Sequence, residues 1–153
     1  MDAVTIPVIA AGGIADGRSM LAALALGAKG VQMGSRFVAC KESSAHESFK
    51  QAVIAAKEGD THLTLKEITP VRLLNNPFAD QVKLAYHNGA TNEELKALLG
   101  RGRAKKGMYE GDMIDGELEI GQVSARLNSI SSAKEIIDQT MSELNTAFQK
   151  LPL

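Results

Sequence analysis

Short apolar runs that end in glycine dominate the first forty residues. Residues 5–11, TIPVIAA, are rich in β-branched side chains and stop at Gly12 and Gly13, which predicts a buried parallel strand. Residues 30–34, GVQMG, form a second run of this kind. Between the runs, apolar residues recur at helical spacing after an expected N-cap at Asp16. The pattern therefore predicts a strand–helix–strand unit with parallel strands.

Helical patterns dominate the chain after this unit. A capping box at residues 44–47, S-A-H-E, predicts a helix that continues to about Lys57. Another helix is expected over residues 79–86, and a third runs from a capping box that begins at Thr91 to a glycine stop at Gly100. The part of the chain beyond the strand–helix–strand unit is therefore expected to be mainly helical.

The segments between these helices carry weaker patterns. Residues 61–65 alternate in polarity and favour a short strand. Residues 70–77 begin and end with proline and are expected to be irregular. Residues 101–121 are rich in glycine and charge without a clear period, so an extended loop is expected there.

An amphipathic helix is predicted at the end of the chain, over residues 132–150. Its apolar stripe consists of Ile137, Met141, Leu144, Phe148 and Leu151. The simplest interpretation of the stripe is core packing. If the elements that would cover it are lacking, the same stripe favours association of two copies into a homodimer.

Composition excludes several classes of function. The 153 residues carry a formal net charge of −1, no tryptophan and only 4% aromatic residues, so nucleic-acid binding is not expected. No apolar run is long enough to span a bilayer, and no signal peptide is expected at the N-terminus. The single cysteine, Cys40, fits a reducing, cytoplasmic setting and is interpreted as a packing residue.

The two glycine-ended strands are the strongest candidate for chemistry. Glycine lets backbone N–H groups approach a ligand closely, and such groups near a helix N-terminus suit a phosphate. The first turn offers Gly12, Gly13 and Ile14, and the second offers Gly34 and Ser35 with the charge of Arg36 behind it. Neither turn matches G-x-G-x-x-G, which disfavours a Rossmann dinucleotide site. Two such turns one βα unit apart instead favour the phosphate site of a (β/α)₈ barrel.

Residues 6–46 read IPVIAAGGIADGRSMLAALALGAKGVQMGSRFVACKESSAH. This segment resembles the superfamily of nitronate monooxygenases and flavin-dependent enoyl-acyl-carrier-protein reductases, down to the GVQMG-[ST]-RF turn and the E-S-x-x-H that follows. Residues 107–122, GMYEGDMIDGELEIGQ, resemble the G-D-x-x-x-G-x-x-x-x-G-Q element of the enoyl-reductase branch. The resemblance covers nearly the whole chain and is most specific in its first forty residues.

The resemblance implies FMN bound in a TIM barrel. Gly12, Gly13 and Ile14 would bind its phosphate through backbone N–H groups, and Gly34 and Ser35 would complete the site. Gln32 and Met33 lie on the strand that approaches the cofactor and are further candidates. In the reductase branch NAD(P)H reduces the flavin, which reduces an enoyl thioester carried by acyl carrier protein. In the monooxygenase branch the flavin and oxygen act on a small nitronate.

The chain is short for this fold. A TIM barrel takes about 250 residues, so the sequence is interpreted as the C-terminal part of such a barrel, with its last two βα units followed by a mainly helical tail. Residues 1–58 would hold the barrel units and the phosphate site, residues 59–122 an insertion with loops and helices, and residues 123–153 a helical segment. The family's active-site histidine segment, of the G-x-E-A-G-G-H type, has no counterpart here. No catalytic residue is therefore assigned, and an inactive remnant, or a subunit that needs an N-terminal half, stays an alternative.

The remaining polar residues favour ordinary surface roles. His46 has no second ligand at i+4, and His62 and His87 lie in polar surroundings and are expected to face solvent, so no metal site is expected. The acidic residues Asp112, Asp115, Glu117 and Glu119 are expected to face solvent. The basic residues Arg101, Arg103, Lys105 and Lys106 are interpreted as a solvated loop, with a contact to the carrier protein or to a nicotinamide phosphate as the alternative.

Overall fold

A computed structural model describes residues 3–151. In chain order these residues form β1 (Ile9–Ala11), α1 (Gly17–Ala25), β2 (Gly30–Gln32), α2 (Ser35–Val38), α3 (Glu47–Ala55), β3 (Thr61–Thr64), β4 (Val71–Leu74), α4 (Pro77–His87), α5 (Asn92–Leu99), α6 (Arg103–Met108), a 3₁₀ turn (Gln122–Arg126) and α7 (Ala133–Gln149). No described helix has the length and apolarity that a bilayer crossing requires.

The predicted strand–helix–strand unit is confirmed. β1 pairs with β2 in parallel, with Ile9 opposite Gly30 and Ala11 opposite Gln32. Asp16 caps α1, because its Oδ1 accepts a 2.7 Å hydrogen bond from the Ser19 N–H. The unit thus forms as the pattern predicts, with strands of three residues each.

The burial predicted for the first strand is wrong for this chain. Ile9 is 55% exposed and Ile6 is 71% exposed. Gly30 lies on the same face as Ile9, since a Cβ at Gly30 would stand 3.2 Å from Ile9 Cδ1. Ile9, Ala11, Gly30 and Gln32 therefore form one face of the two-stranded sheet, which we call the open face. The strands have the composition of a sheet covered on both sides, but no described element covers this side.

Helix α7 packs against α1 at a point of very close approach. Gly17 is buried, and a Cβ there would overlap the backbone of Leu144 and Thr140. Ile136 and Thr140 are the buried residues of α7. The predicted helix is confirmed, with Ser132 as its N-cap. The close contact with Gly17 therefore buries the face of α7 that carries Ile136 and Thr140.

The prediction that the apolar stripe of the last helix packs into the core is therefore wrong. Ile137, Met141, Phe148 and Leu151 are each more than two-fifths exposed, and Leu144 is half-buried. Ile137 and Met141 instead line an open apolar cavity beside Val31 of β2.

A second part of the fold is built around the antiparallel pair β3 and β4. Thr61 lies opposite Leu74, and the chain at residues 118–120 adds hydrogen bonds to the other side of β4, with Leu74 N–H donating to Leu118 O at 2.9 Å. The strand predicted at residues 61–65 is confirmed. The irregular stretch expected at residues 70–77 is wrong, because the tertiary partners on both sides hold residues 71–74 extended.

Two further expectations are corrected in this part of the chain. The loop expected at residues 101–121 contains α6, whose last turn presses Gly107 against the Glu117 carbonyl, where a Cβ would meet the oxygen at 2.6 Å. The helix predicted from Ser44 begins later: His46 is its N-cap, and His46 Nδ1 accepts from the Ser48 N–H at 3.2 Å. α4 and α5 form as predicted, α5 with the capping box at Thr91 and its C-cap at Gly100.

Two hydrophobic clusters hold these elements together. One contains Phe49 and Val53 of α3 with Leu118, Ile120 and other residues that connect the first strands to the later chain. The other contains Leu73 of β4 with Phe78, Val82 and Leu95 of α4 and α5. The first cluster includes Ala15 and Val123, so it fixes residues 121–126 next to the turn that follows β1.

Candidate functional site

The two glycine turns lie at the same edge of the β1–β2 pair. Ala11 and Gln32 are opposite each other and are the last residues of their strands, and the strands run in parallel. Gly12–Gly13 and Met33–Gly34 follow directly. Neighbouring strands are about 4.8 Å apart, so the turns adjoin, as ligand-binding loops do at the carboxyl ends of parallel strands.

The first turn has the backbone that only glycine adopts without strain. Gly12 has φ +91° and Gly13 has φ +70°, and no atom lies within 4 Å of the position that a Cβ would take at either residue. Within residues 3–151, the N–H groups of Gly13 and Ile14 have no protein acceptor. The turn therefore presents unpaired donors beside open space, which suits an anionic ligand.

The second turn leads into the short helix α2, which begins at Ser35. Open space also surrounds Gly34, where no atom lies within 4 Å of a Cβ position. A residue far away in sequence binds the Ser35 hydroxyl: Ser35 Oγ accepts a 3.1 Å hydrogen bond from the Gly121 N–H. The bond occupies an acceptor site of the hydroxyl and leaves its proton available to a ligand.

Charged side chains surround the start of α1. Glu143 Oε2 accepts the Gly17 N–H at 3.0 Å, and Asp16 binds the Ser19 N–H. Asp16 Oδ2 also pairs with the Arg126 guanidinium. Partial burial acts to raise the pKa of Asp16, but the hydrogen bonds from Ser19 and the charge of Arg126 outweigh it and lower the pKa.

Arg36, which the sequence predicts to lie behind the second turn, binds a different part of the chain. Arg36 is buried, and its Nη1 donates to the Ser129 carbonyl at 3.1 Å. Arg36 and Arg126 line one small cavity together with Asp16 and Glu143. The cavity thus holds two guanidinium groups and two carboxylates.

Gln32, the last residue of β2, and Met33, which follows it, have side chains on opposite sides of the sheet. Met33 lines the apolar cavity on the helix side, together with Val31, two residues before it. Gln32 is exposed on the open face, as alternation along a strand requires. Gln32 is therefore the residue of this pair whose side chain is exposed on the open face.

A larger cavity of about 540 Å³ opens beside Gly13. Arg126 and Gln122 of the 3₁₀ turn line it, together with Thr61 and Arg72 of the β3–β4 pair. Arg72 Nη1 donates to the Thr61 carbonyl at 3.1 Å, which holds the guanidinium against the hairpin. Gly13 of the first turn therefore lies in the wall of a cavity whose other lining residues come from the later chain.

A family model described as nitronate monooxygenase matches residues 1–143 of the chain. The chain belongs to the nitronate monooxygenase family. Among curated relatives, a probable nitronate monooxygenase of Staphylococcus aureus is 35% identical over 150 residues, which cover 97% of this chain and 42% of the relative.

Two solved structures resemble the chain over nearly all of its length. FabK from Thermotoga maritima superposes with a TM-score of 0.88 at 38% identity, over 97% of this chain and 47% of that one. A nitroalkane oxidase from Streptomyces ansochromogenes superposes with a TM-score of 0.74 at 32% identity, over 98% of this chain and 42% of that one. The chain spans less than half the length of each of these three relatives.

The acidic residues of this family member are not uniformly solvated. Glu117 is buried, and burial together with the charge of Glu119 raises the pKa of its carboxyl to about 7, against the opposing charge of Arg103. Asp112 behaves in the opposite way: a 2.8 Å ion pair with Lys106 and two backbone N–H donors lower its pKa to about 2. Within residues 3–151 no three His, Cys, Asp or Glu side chains are grouped as a metal site.

Sequence reasoning missed two residues at the glycine turns, Gly121 and Arg126. Both come from the 3₁₀ turn and its N-cap, 86 and 110 residues away from their partners. The sequence identifies Gly121 as part of the G-D-x-x-x-G-x-x-x-x-G-Q element, but nothing in that element indicates a contact with Ser35. Arg126 has no sequence signal, because its partner Asp16 is already explained as a helix cap.

Proposed function

We propose that the two glycine turns form the phosphate end of an FMN site in an FMN-dependent oxidoreductase of the enoyl-acyl-carrier-protein reductase type. The observation that carries the proposal is the pair of adjoining turns with unpaired N–H groups at Gly13 and Ile14 and an oriented hydroxyl at Ser35. Family membership supports it, and so does the short helix α2 after β2, since barrels of this class bind phosphate with such a helix.

The chain's own residues would bind and orient the cofactor. Gly13 and Ile14 would donate N–H groups to the phosphate, Gly12 and Gly34 would keep the approach free of side chains, and Ser35 would donate its hydroxyl proton. Gln32 would face the cofactor from the open face, whereas Met33 would contribute its backbone only. The flavin, when bound, supplies the hydride-transfer chemistry.

The enoyl-reductase type is favoured over the alternative within the same family. Residues 107–122 match the G-D-x-x-x-G-x-x-x-x-G-Q element of that branch, and FabK, an enoyl-acyl-carrier-protein reductase II, superposes better than the nitroalkane oxidase does. The substrate would then be an enoyl thioester on acyl carrier protein, with NAD(P)H as reductant. The alternative is nitronate monooxygenase activity on a small nitronate, which the names of the family and of the Staphylococcus relatives support.

We further propose that turnover needs a complementary N-terminal part of the barrel. The open face of β1 and β2 has the composition of a covered surface, and the family's histidine segment has no counterpart in this sequence. In this proposal the chain alone binds FMN weakly and turns over nothing measurable. Titration of the purified chain with FMN, followed by flavin fluorescence, tests it, and sub-micromolar affinity contradicts it.

A chimera tests the activity directly. The part of Thermotoga FabK that has no counterpart here is fused to this chain, and bound flavin, crotonyl-thioester-dependent NAD(P)H oxidation and nitronate-dependent oxygen uptake are measured. The expected result is bound FMN with the first activity. Bound FMN with the second activity alone supports the monooxygenase alternative, and a folded chimera without flavin contradicts the FMN site.

The matched pair for the chimera is Ser35→Ala and Ser142→Ala. Ser35→Ala removes one donor to a charged group, a loss worth about 1.5–3 kcal/mol or about tenfold or more in FMN affinity. Ser142 is exposed on α7 and lines neither of the cavities that adjoin the turns, so its replacement should leave the affinity unchanged.

A further inference from the structure

One short segment of the chain contacts both glycine turns. Gly121 donates its N–H to Ser35 Oγ in the second turn, at 3.1 Å. Five residues later, Arg126 pairs with Asp16, which follows the first turn and caps α1. We call residues 121–126 the clasp. Because one end of the clasp binds Ser35 of the second turn and the other end binds Asp16, just after the first turn, the clasp connects the two turns to each other.

The glycine at residue 121 is required by proximity and not by backbone conformation. Its φ is −71° and its ψ is 151°, values that any residue adopts. A Cβ there would stand 2.7 Å from Ser35 Oγ, which is closer than real Cβ contacts. Any larger residue must therefore displace the Ser35 hydroxyl, and with it the hydrogen bond that orients its proton.

Arg126, at the other end of the clasp, lies near two carboxylates that follow the first turn. Asp16 and Glu143 place two carboxylates at the start of α1 and use its Ser19 and Gly17 N–H groups. A phosphate bound at Gly13 would be repelled by both. Arg126 lines the cavity beside Gly13 and also the cavity that holds Asp16 and Glu143, and its guanidinium pairs with Asp16, so it offsets part of the negative charge next to the turn.

We propose that the clasp sets the phosphate selectivity of the site, with Gly121 and Arg126 as positioning residues that act through Ser35 and Asp16. The proposal rests on the proposed FMN site. Its consequence is specific: loss of either contact should weaken binding of FMN, which carries the phosphate, and should leave binding of riboflavin, which lacks it, unchanged.

The first measurement uses the ligand-free 153-residue chain, so it does not depend on flavin binding. Amide hydrogen exchange is compared for wild type, Arg126→Gln and the control Arg101→Gln, an exposed arginine in the loop before α6. Arg126→Gln should speed exchange at the Ala15 and Asp16 amides, which donate to Ser19 Oγ, by roughly two- to fivefold, the range for a partly exposed ion pair. Arg101→Gln should not. Unchanged exchange in Arg126→Gln contradicts the clasp.

The second measurement compares the dissociation constants of FMN and riboflavin for the same chain. Arg126→Gln should raise the ratio of the FMN constant to the riboflavin constant by about two- to fivefold, the range for a partly exposed ion pair. Gly121→Ala should raise the same ratio by about tenfold, the cost of a misplaced charge-assisted contact from Ser35. Arg126→Lys should restore part of the selectivity. Equal weakening for both ligands shows a general structural role and overturns the proposal.

A double variant separates displacement of Ser35 from loss of folding. In a Ser35→Ala background the hydroxyl that collides with a Cβ at residue 121 is absent. Gly121→Ala should then cost at most a small fraction of what it costs in wild type, a coupling that a double-mutant cycle measures. If Gly121→Ala costs the same in both backgrounds, Gly121 does not act through Ser35.

These measurements distinguish the clasp from the site it serves. If the wild-type chain binds FMN and riboflavin with equal affinity, the proposed FMN site is wrong, and the selectivity proposal is overturned with it. If wild type prefers FMN while neither variant changes that preference, the FMN site stands and the clasp is wrong.

Discussion

Glu117 is a carboxyl whose burial has a direct consequence for stability. Its pKa is raised to about 7 in the folded chain, chiefly by burial and then by the charge of Glu119. The ordinary value is 4.5, so between pH 4.5 and 7 the folded state binds a proton that the unfolded state has released. The unfolding free energy should therefore fall as the pH rises through this interval.

Glu117→Gln should remove this slope. Each pH unit in the interval corresponds to about 1.4 kcal/mol for one fully linked proton. Urea unfolding of wild type at pH 5 and pH 7 should show stability lost towards pH 7, whereas Glu117→Gln should show little change from this source. Glu93→Gln, an exposed carboxyl on α5, is the control and should keep the wild-type slope. A wild-type slope retained by Glu117→Gln contradicts the assignment.

At the scale of elements, the α1–α7 contact depends on one glycine. Gly17 lies in the first turn of α1, where alanine would normally favour the helix. A Cβ at Gly17 would overlap the backbone of α7, so the two helices would have to separate. The contact positions α7, whose Glu143 binds the Gly17 N–H.

Gly17→Ala should therefore destabilise the chain, by about 1–3 kcal/mol, in spite of the better helix propensity of alanine. The measurement is the urea midpoint together with the slope of the transition. Arg18→Ala, at the exposed neighbouring position, is the control and should stay within about 0.5 kcal/mol of wild type. Gly17→Ala as stable as this control would mean that the helices do not approach as closely as described.

Elements that depend on local pattern were predictable from the sequence, and those that depend on distant partners were not. The caps at Asp16 and Thr91 use residues three positions apart, so the sequence contains the whole interaction. β4 was missed because its hydrogen-bond partners are β3 and residues 118–120. The glycine turns were visible in the sequence for the same local reason. Gly121 and Arg126 were not recognised at the site, because only folding brings them to the turns.

At the scale of the whole molecule, the apolar surface of the chain is unevenly distributed. Ile9 on the open face and Ile6 in the segment before β1 are each more than half exposed, and Ile137, Met141 and Phe148 are exposed on α7. Exposed apolar groups of this extent mark an interaction surface. The barrel part proposed to complement the chain would cover the open face, and a second copy of the chain is the competing occupant.

If the rest of a barrel covers the open face, a charge placed there should be tolerated in the isolated chain and should destabilise the FabK chimera. Ile9→Lys places a charge on the open face. In the isolated chain, where Ile9 is 55% exposed, the charge should reduce self-association and leave stability within about 0.5 kcal/mol of wild type. In the FabK chimera the same residue would be covered, and the desolvated charge should destabilise the protein by several kcal/mol and release flavin.

Sedimentation velocity of the isolated chain and thermal unfolding of the chimera measure the two effects. Leu63→Lys is the matched control, since Leu63 on β3 is 48% exposed and does not lie on the open face, so it should behave alike in both settings. Reversal for Ile9 alone identifies the open face as the surface that the rest of a barrel covers, because only there does burial change between the settings. If Ile9→Lys is harmless in a folded, flavin-loaded chimera, the open face stays exposed in the larger protein, and β1 and β2 do not form part of a closed barrel.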